Sequence, residues 1–226
     1  MYNEEKFIQA ISASFQKYQE FGARSPEKLK PIHKFLADTL QQIFGNEYEL
    51  HYLGSDSKEK TVEGKYYPKD IDMTITKDNK PVFCVGLKFV TSNYKQNANN
   101  YFENMMGETA NIQANKGLPY AHVIILRHET PYYKKDSSVG KIEIINEKDL
   151  SKYLKLTFDT PQAHKPFSMG ILLIAINEAT TEVKVVKPES VLTKEFAELF
   201  ENKMSIRNLF AEIEDYKKYL LTVEKK

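Results

Sequence analysis

A single cysteine, Cys84, stands among the 226 residues. Neither an internal disulfide nor a multi-cysteine zinc site can form from it, which fits a reducing cytoplasm. Long apolar runs are missing as well. The longest, Gly170–Ile176 (GILLIAI), has the length of a strand, so no membrane span is expected. The N-terminal MYNEEKFIQAISASF is acidic and amphipathic and lacks the basic-then-apolar layout of a secretory signal. Nine glycines and nine prolines are too few for a collagen-like or linker-rich chain. An excess of one charge is lacking too: the net charge is +1, so only a local cluster could speak for a nucleic-acid partner. Walker A, GxGxxG, GxSxG and zinc motifs are absent, which removes support for nucleotide-driven, hydride-transfer and serine-hydrolase chemistry. His33, His51, His122, His128 and His164 are scattered, with no pair at the helical spacing of metal ligands, and read as structural or exposed.

The chain does hold 41% apolar residues, enough for a sizeable core. Phe7, Ile8, Ile11, Phe15 and Tyr18 recur at helical spacing over 4–21. Ser25-Pro26 then opens a second helix that runs to Gly45. From Tyr48 the period shortens. Strands are expected over 48–53, 71–76 and 82–90, with a polar loop over 55–64 and a turn at Asp78-Asn79. A helix follows over 99–115, then strands 122–127 and 141–146, a helix 147–156, a strand 168–177 with a hairpin partner 182–186, and one long helix 193–223. This order predicts an α/β (α+β) fold: a mixed central sheet flanked by helices, in a single domain over 1–226.

The chemistry concentrates in YPKDIDMTITKDNKPVFCVGLKFVTSNYKQNANNYFENMMGE, residues 67–108. Asp72 lies between Ile71 and Met73, and Lys88 between Leu87 and Phe89. Fifteen residues separate them, about what a tight hairpin needs to bring both to one end of a sheet. Burial disfavours the charged form of either group, so each must be paired, metal-bound or at a rim. Asn93, Lys95, Gln96, Asn97, Asn99 and Asn100, interleaved with Tyr94 and Tyr101, make an amide-rich stretch suited to phosphate and adenine-edge contacts. The bland reading is a capping loop.

Asp72, the hairpin and Lys88 resemble the PD-(D/E)XK nuclease superfamily, and more closely its Type II restriction endonucleases. The resemblance covers residues 25–128. It implies a restriction-endonuclease-like core of helix, three strands, helix and strand, with the aspartate opening the second strand and the triplet on the third. Residues 129–226 would then supply dimer contacts and base readout, with Phe200, Leu209 and Phe210 open to either an interface or the core. The implied activity is Mg2+-dependent hydrolysis of double-stranded DNA by a homodimer in a restriction system. Asp72 would hold the metal, the Leu87 carbonyl would be a main-chain ligand, and Lys88 would contact the phosphate and the attacking water. Asp70 is a rival for Asp72.

The sequence departs from the pattern at one point. The triplet reads Gly86-Leu87-Lys88, and glycine offers no carboxylate. Three readings stand. The acidic residue may be supplied by the following helix, in which case Glu103, fifteen positions after Lys88, is preferred. Its neighbours Gly107 and Ala110 are small enough for that face to approach the sheet. Glu108 is turned about 140° away and is the second choice. Alternatively the chain is a DNA-binding module without activity, or Gly86 is an engineered inactivating change. A repair or junction nuclease is a further reading.

Overall fold

The computed structural model describes residues 2–54 and 58–223. The element order is α1 (Glu4–Phe21), α2 (Lys30–Phe44), β1 (Glu49–Tyr52), β2 (Lys60–Glu63), β3 (Pro68–Ile71), β4 (Met73–Lys77), β5 (Lys80–Val90), α3 (Tyr94–Gln113), β6 (Tyr120–Arg127), β7 (Glu129–Tyr133), β8 (Val139–Ile144), α4 (Glu147–Thr157), β9 (Met169–Ile176), β10 (Val183–Val185), α5 (Lys194–Met204) and α6 (Ile206–Val223). The fold is mixed α/β, as expected: a six-stranded mixed sheet in the order β1-β4-β5-β6-β9-β10, flanked by helices. β1, β4 and β5 are antiparallel neighbours, whereas β5, β6 and β9 run parallel. Helix α3 makes the crossover from β5 to β6. Parallel neighbours require such a connection, because a tight turn can only join antiparallel strands.

Period-two alternation divides the sheet between two cores. Ala121, Val123 and Ile125 of β6 join Leu172 and Ile174 of β9 on the face covered by α1, α2 and α6. Ile124 and Leu126 join Met169, Ile171 and Leu173 on the face covered by α3, α4 and α5. All of β6 is therefore buried, which is why it reads as a continuous apolar run. Each such side chain taken out of water contributes roughly 1.5–3 kcal/mol.

Several boundaries differ from expectation, each for a local reason. The strand expected over 71–76 is two strands in different sheets, β3 and β4, with Asp72 at the joint. The loop expected over 55–64 contains β2; its residues 55–57 lie outside the described residues. Helix α3 begins at Tyr94 rather than 99, so the amide-rich stretch is helical. Its N-terminus is capped from afar: Asn93 takes the left-handed conformation, and buried Glu143 of β8 accepts the Lys95 N–H at 2.9 Å. The long C-terminal helix breaks at Ser205, whose extended backbone ends α5 and whose hydroxyl accepts the Asn208 N–H of α6. Phe200, Leu209 and Phe210 lie within the cores, which removes them from any interface.

Gly64 opens the turn between β2 and β3, and a Cβ there would lie 2.1 Å from Asn111 Nδ2. The close approach lets the Asn111 side chain accept from the Tyr66 N–H and donate to the Tyr67 carbonyl, both at 2.9 Å. The hairpin is thereby fastened to α3. No helix among the described residues is long and apolar enough to cross a membrane.

Candidate active site

Asp72 sits where the chain leaves the β2–β3 hairpin and enters the central sheet. Ile71 before it and Met73 after it are fully buried in different clusters, so the joint is anchored on both sides. The Asp72 side chain is 30% exposed. Its Oδ2 accepts the Leu87 N–H at 2.7 Å, standing where a ladder carbonyl would be if β4 began earlier. Burial raises the Asp72 carboxyl to about 6; the Leu87 N–H opposes that shift, and the negative charges of Glu59 and Glu108 add to it.

A cleft of about 310 Å³ opens in front of Asp72, between the end of β5 and helix α3. Asp72, Gly86, Leu87 and Lys88 line it from the sheet, and Tyr101, Asn104 and Glu108 from the helix. Lys69 and Asp70 close one side, with Asp70 accepting the Thr61 hydroxyl. Lys88 is exposed, with its ammonium 4.8 Å from the centre of the Tyr101 ring. Lys28, on the turn before α2, is held below the usual lysine range by burial and by the like charge of Lys88. Two ammonium groups, from Lys69 and Lys88, thus line the acidic cleft.

Asp70 and Glu108 line the cleft with Asp72, and Glu103 does not. Positions 101, 104, 105 and 108 form one helical face, at i, i+3, i+4 and i+7, and that face lines the cleft. Glu103 points elsewhere: it is exposed and its charge acts on Lys152. Gly107, one of the small neighbours that favoured Glu103, does not pack on the sheet, since a Cβ there would meet nothing within 4 Å. Glu108 is held by Lys69 at 3.0 Å.

The space that a side chain at position 86 would need is filled. A Cβ at Gly86 would lie 2.8 Å from the Tyr120 hydroxyl and 2.8 Å from His122 Nδ1. Both side chains are buried. The Thr109 hydroxyl donates to the Met105 carbonyl and so must accept from His122 Nε2, at 2.8 Å. That tautomer leaves Nδ1 unprotonated and turned to Gly86. Burial lowers the His122 pKa to about 3, so the ring is neutral. A glutamate at 86 would have to displace this pair, which weighs against a single engineered loss at that position.

The amide-rich stretch is largely occupied with holding α3. Asn93 Oδ1 accepts the Tyr133 N–H at 2.8 Å, and its carbonyl accepts from Asn97 Nδ2 at 3.1 Å. Lys95 pairs with Asp149 at 3.5 Å, and Asn99 accepts from Lys152 at 3.1 Å. Gln96 and Asn100 are exposed on the helix and lie outside the cleft lining.

No family model, curated protein or solved structure matches the chain.

Sequence reasoning did not single out Lys69 or Tyr120, placed Tyr101 only in the amide-rich stretch, and read His33 as structural or exposed. The signal for Tyr101 and Glu108 was present, because they lie in register with Ala98, Met105 and Ile112, the buried stripe of α3. His33, on α2, is fully buried with Nε2 3.9 Å from Asp72 Oδ1, and neither ring nitrogen has a hydrogen-bond partner among the described residues. Burial lowers its pKa to about 4.

Among the described residues no three His, Cys, Asp or Glu side chains form a ready metal-holding group. Magnesium does not need one: it is held by one or two carboxylates and keeps several waters. Asp72 and Glu108 both line the cleft, and the charge of Glu108 adds to the rise in the Asp72 pKa.

Proposed function

We propose that the chain is a magnesium-dependent endonuclease of restriction type, hydrolysing phosphodiester bonds in double-stranded DNA. One observation carries the reading: Asp72 at the joint of β4, Lys88 on the antiparallel neighbour β5, and Glu108 on the crossover helix all face one cleft. The element order α2-β1-β4-β5-α3-β6, with the β2–β3 hairpin inserted, supports it as well, since the resemblance implies helix, three strands, helix and strand.

Asp72 and Glu108 would hold the metal, joined by the carbonyl of Leu87, whose N–H already faces Asp72. When bound, magnesium polarises the scissile phosphate and acidifies a water. The chain's own residues then have distinct tasks. Lys88, held over Tyr101 but exposed, reaches the phosphate and balances its developing charge. Lys69 keeps Glu108 oriented toward the cleft. Lys28 extends the positive rim that a DNA backbone needs. One chain carries one such set, so cutting both strands of a palindromic site takes two copies related by a two-fold axis.

The test is cleavage of mixed-sequence plasmid DNA with magnesium, using the full chain and its Asp72→Ala, Lys88→Ala and Glu108→Gln variants. Discrete fragments from the parent are expected, with rates lower by about 100-fold or more in each variant. A folded parent that is silent over a broad set of sites, or one whose cutting survives Asp72→Ala, would falsify the reading.

A further inference from the structure

The ribbon of β7 and β8 is shaped without being covered. Its strands pair only with each other, as a two-stranded antiparallel sheet apart from the central one. Every residue from 134 to 142 is exposed, and Val139 and Ile142 are 53% and 51% exposed. A lone ribbon is marginal in water, so this one is fastened at both ends. At its base the Pro131 carbonyl accepts the Asn93 N–H at 2.9 Å, and Glu143 accepts the Lys95 N–H. At its tip Asp136 accepts from the N–H and the hydroxyl of Ser138, at 3.0 and 2.6 Å.

Position and charge say what the ribbon meets. The cleft lining reaches Val90 at the end of β5 and Leu126 near the end of β6. The ribbon attaches at Asn93 and starts at Glu129, directly beyond those two residues, and so rises from the cleft rim. Its outer part carries Lys134, Lys135 and Lys141, and the one acidic side chain there, Asp136, is tied into the turn. The Lys141 ammonium lies 5.3 Å from the centre of the Tyr132 ring and 3.3 Å from Glu143, and its side chain is still 62% exposed. Lys134 lies across Gly140, where a Cβ would be 3.1 Å from Lys134 Cε and 3.2 Å from Tyr132 Cδ1. Two lysines thus gather about one tyrosine, a cluster of like charge that an anionic partner relieves.

We propose that the ribbon of β7 and β8 is a duplex-DNA-binding arm that enters the major groove beside the cleft, with Lys134, Lys135 and Lys141 on phosphates. The inference deepens the proposed function and rests on its reading of the cleft as a site for duplex DNA. The dimensions agree. Strands about 4.8 Å apart fit a groove about 12 Å wide, which admits a two-stranded ribbon. From Pro131 to Asp136 the ribbon extends roughly 15 Å at about 3.3 Å per residue, beyond the groove depth of about 8.5 Å. Val139 and Ile142 supply the apolar surface that thymine methyl groups take. A second copy of the chain fits less well, because lysines on a ribbon oppose edge-to-edge pairing.

Binding is measured in EDTA, where nothing is cut, by fluorescence anisotropy of a labelled mixed-sequence duplex over a range of salt concentrations. The full chain is compared with Lys134→Ala/Lys135→Ala/Lys141→Ala and with Lys184→Ala/Lys194→Ala/Lys203→Ala, which removes the same charge from β10 and α5. The ribbon variant should flatten the slope of log K against log salt by about 2–3, and the control by less than about 1. Both should unfold near the parent temperature, since all six side chains are exposed. Glucosylated hydroxymethylcytosines, which fill the major groove, should weaken parent binding by about tenfold or more, and netropsin in the minor groove should not. A ribbon variant that binds like the control, or binding blocked by netropsin alone, would overturn the inference. So would a ribbon variant that keeps duplex affinity and turns a dimer into a monomer on sedimentation, which would make the ribbon a contact between copies. Ribbon-dependent binding without cleavage in magnesium would sustain the inference and overturn only the nuclease reading. A parent that binds no duplex would remove both.

Discussion

On the proposed nuclease reading a carboxylate at position 86 would be the obvious repair, and the structure predicts that placing one there damages the protein instead. Already Gly86→Ala places a Cβ 2.8 Å from the Tyr120 hydroxyl and 2.8 Å from His122 Nδ1. Neither neighbour is a flexible tip. Tyr120 is 1% exposed and packs with Val62, Ile71, Cys84 and Ile112, while His122 is tied to Thr109. Overpacking of this kind costs about 1–3 kcal/mol. Replacing glycine by alanine also restricts the unfolded chain, which returns about 0.4–1 kcal/mol. The net expectation is a loss of about 1–2 kcal/mol, lowering the melting temperature by roughly 2–8 °C for a chain of this size. Urea unfolding followed by circular dichroism gives the midpoint, and the slope should stay constant, since the exposed surface does not change. Adding Tyr120→Phe removes one of the two clashing atoms, so the double variant should regain part of the loss, by about 0.5 kcal/mol or more. Gly86→Glu, which is larger and charged, should be worse than Gly86→Ala and should not raise cleavage. If Gly86→Ala equals or exceeds the parent in stability, the close approach described at Gly86 is wrong.

Two further outcomes follow from the surroundings of the cleft. Asn111→Ala leaves the Tyr66 N–H and the Tyr67 carbonyl without their partner, at a cost of about 1–3 kcal/mol, and amide hydrogen exchange should quicken over 60–70; unchanged protection there would show that the hairpin is held by something else. In EDTA, the pH dependence of stability should carry two opposed contributions. His33 and His122 are neutral when folded, with pKa values lowered to about 4 and about 3, so unfolding takes up protons and stability falls as pH drops below about 6.5. Asp72, raised to about 6, takes up its proton on folding and so adds stability as pH falls from about 6 to about 4. Asp72→Asn should therefore be more stable than the parent at pH 7, and the gap should close toward pH 4; urea midpoints with a gap that stays constant would contradict the raised carboxyl.

The elements with clean periodicity were legible in the sequence. Helix α1 falls where Phe7, Ile11 and Phe15 place it, and β6 and β9 where apolar runs of strand length occur. Asp72 and Lys88 were found because charged residues inside apolar strands need a reason, and both line the cleft. What escaped were features settled by distant partners. The start of α3 depends on Glu143, 48 positions away from Lys95, and no local cap announces it. The choice between Glu103 and Glu108 depends on which face of α3 meets the sheet, and Gly107 pointed the wrong way because it faces open space. His33 reads as ordinary core from its spacing. Only its distance to Asp72 and its unpartnered nitrogens set it apart.

The central position of β6 bears on how the polypeptide is made. Residues 25–128 contain every side chain of the cleft except Tyr153, which invites their excision as a portable unit. Yet β6 pairs on its far side with β9, which arrives only at Met169–Ile176, and every residue of β6 is buried in the finished sheet. A ribosome that has delivered β6 must add some 40 more residues before the covering strand exists. During that interval the nascent chain presents an apolar, hydrogen-bonding edge, the kind of surface that seeds aggregation and engages chaperones. A fragment ending at 128 would carry that edge permanently.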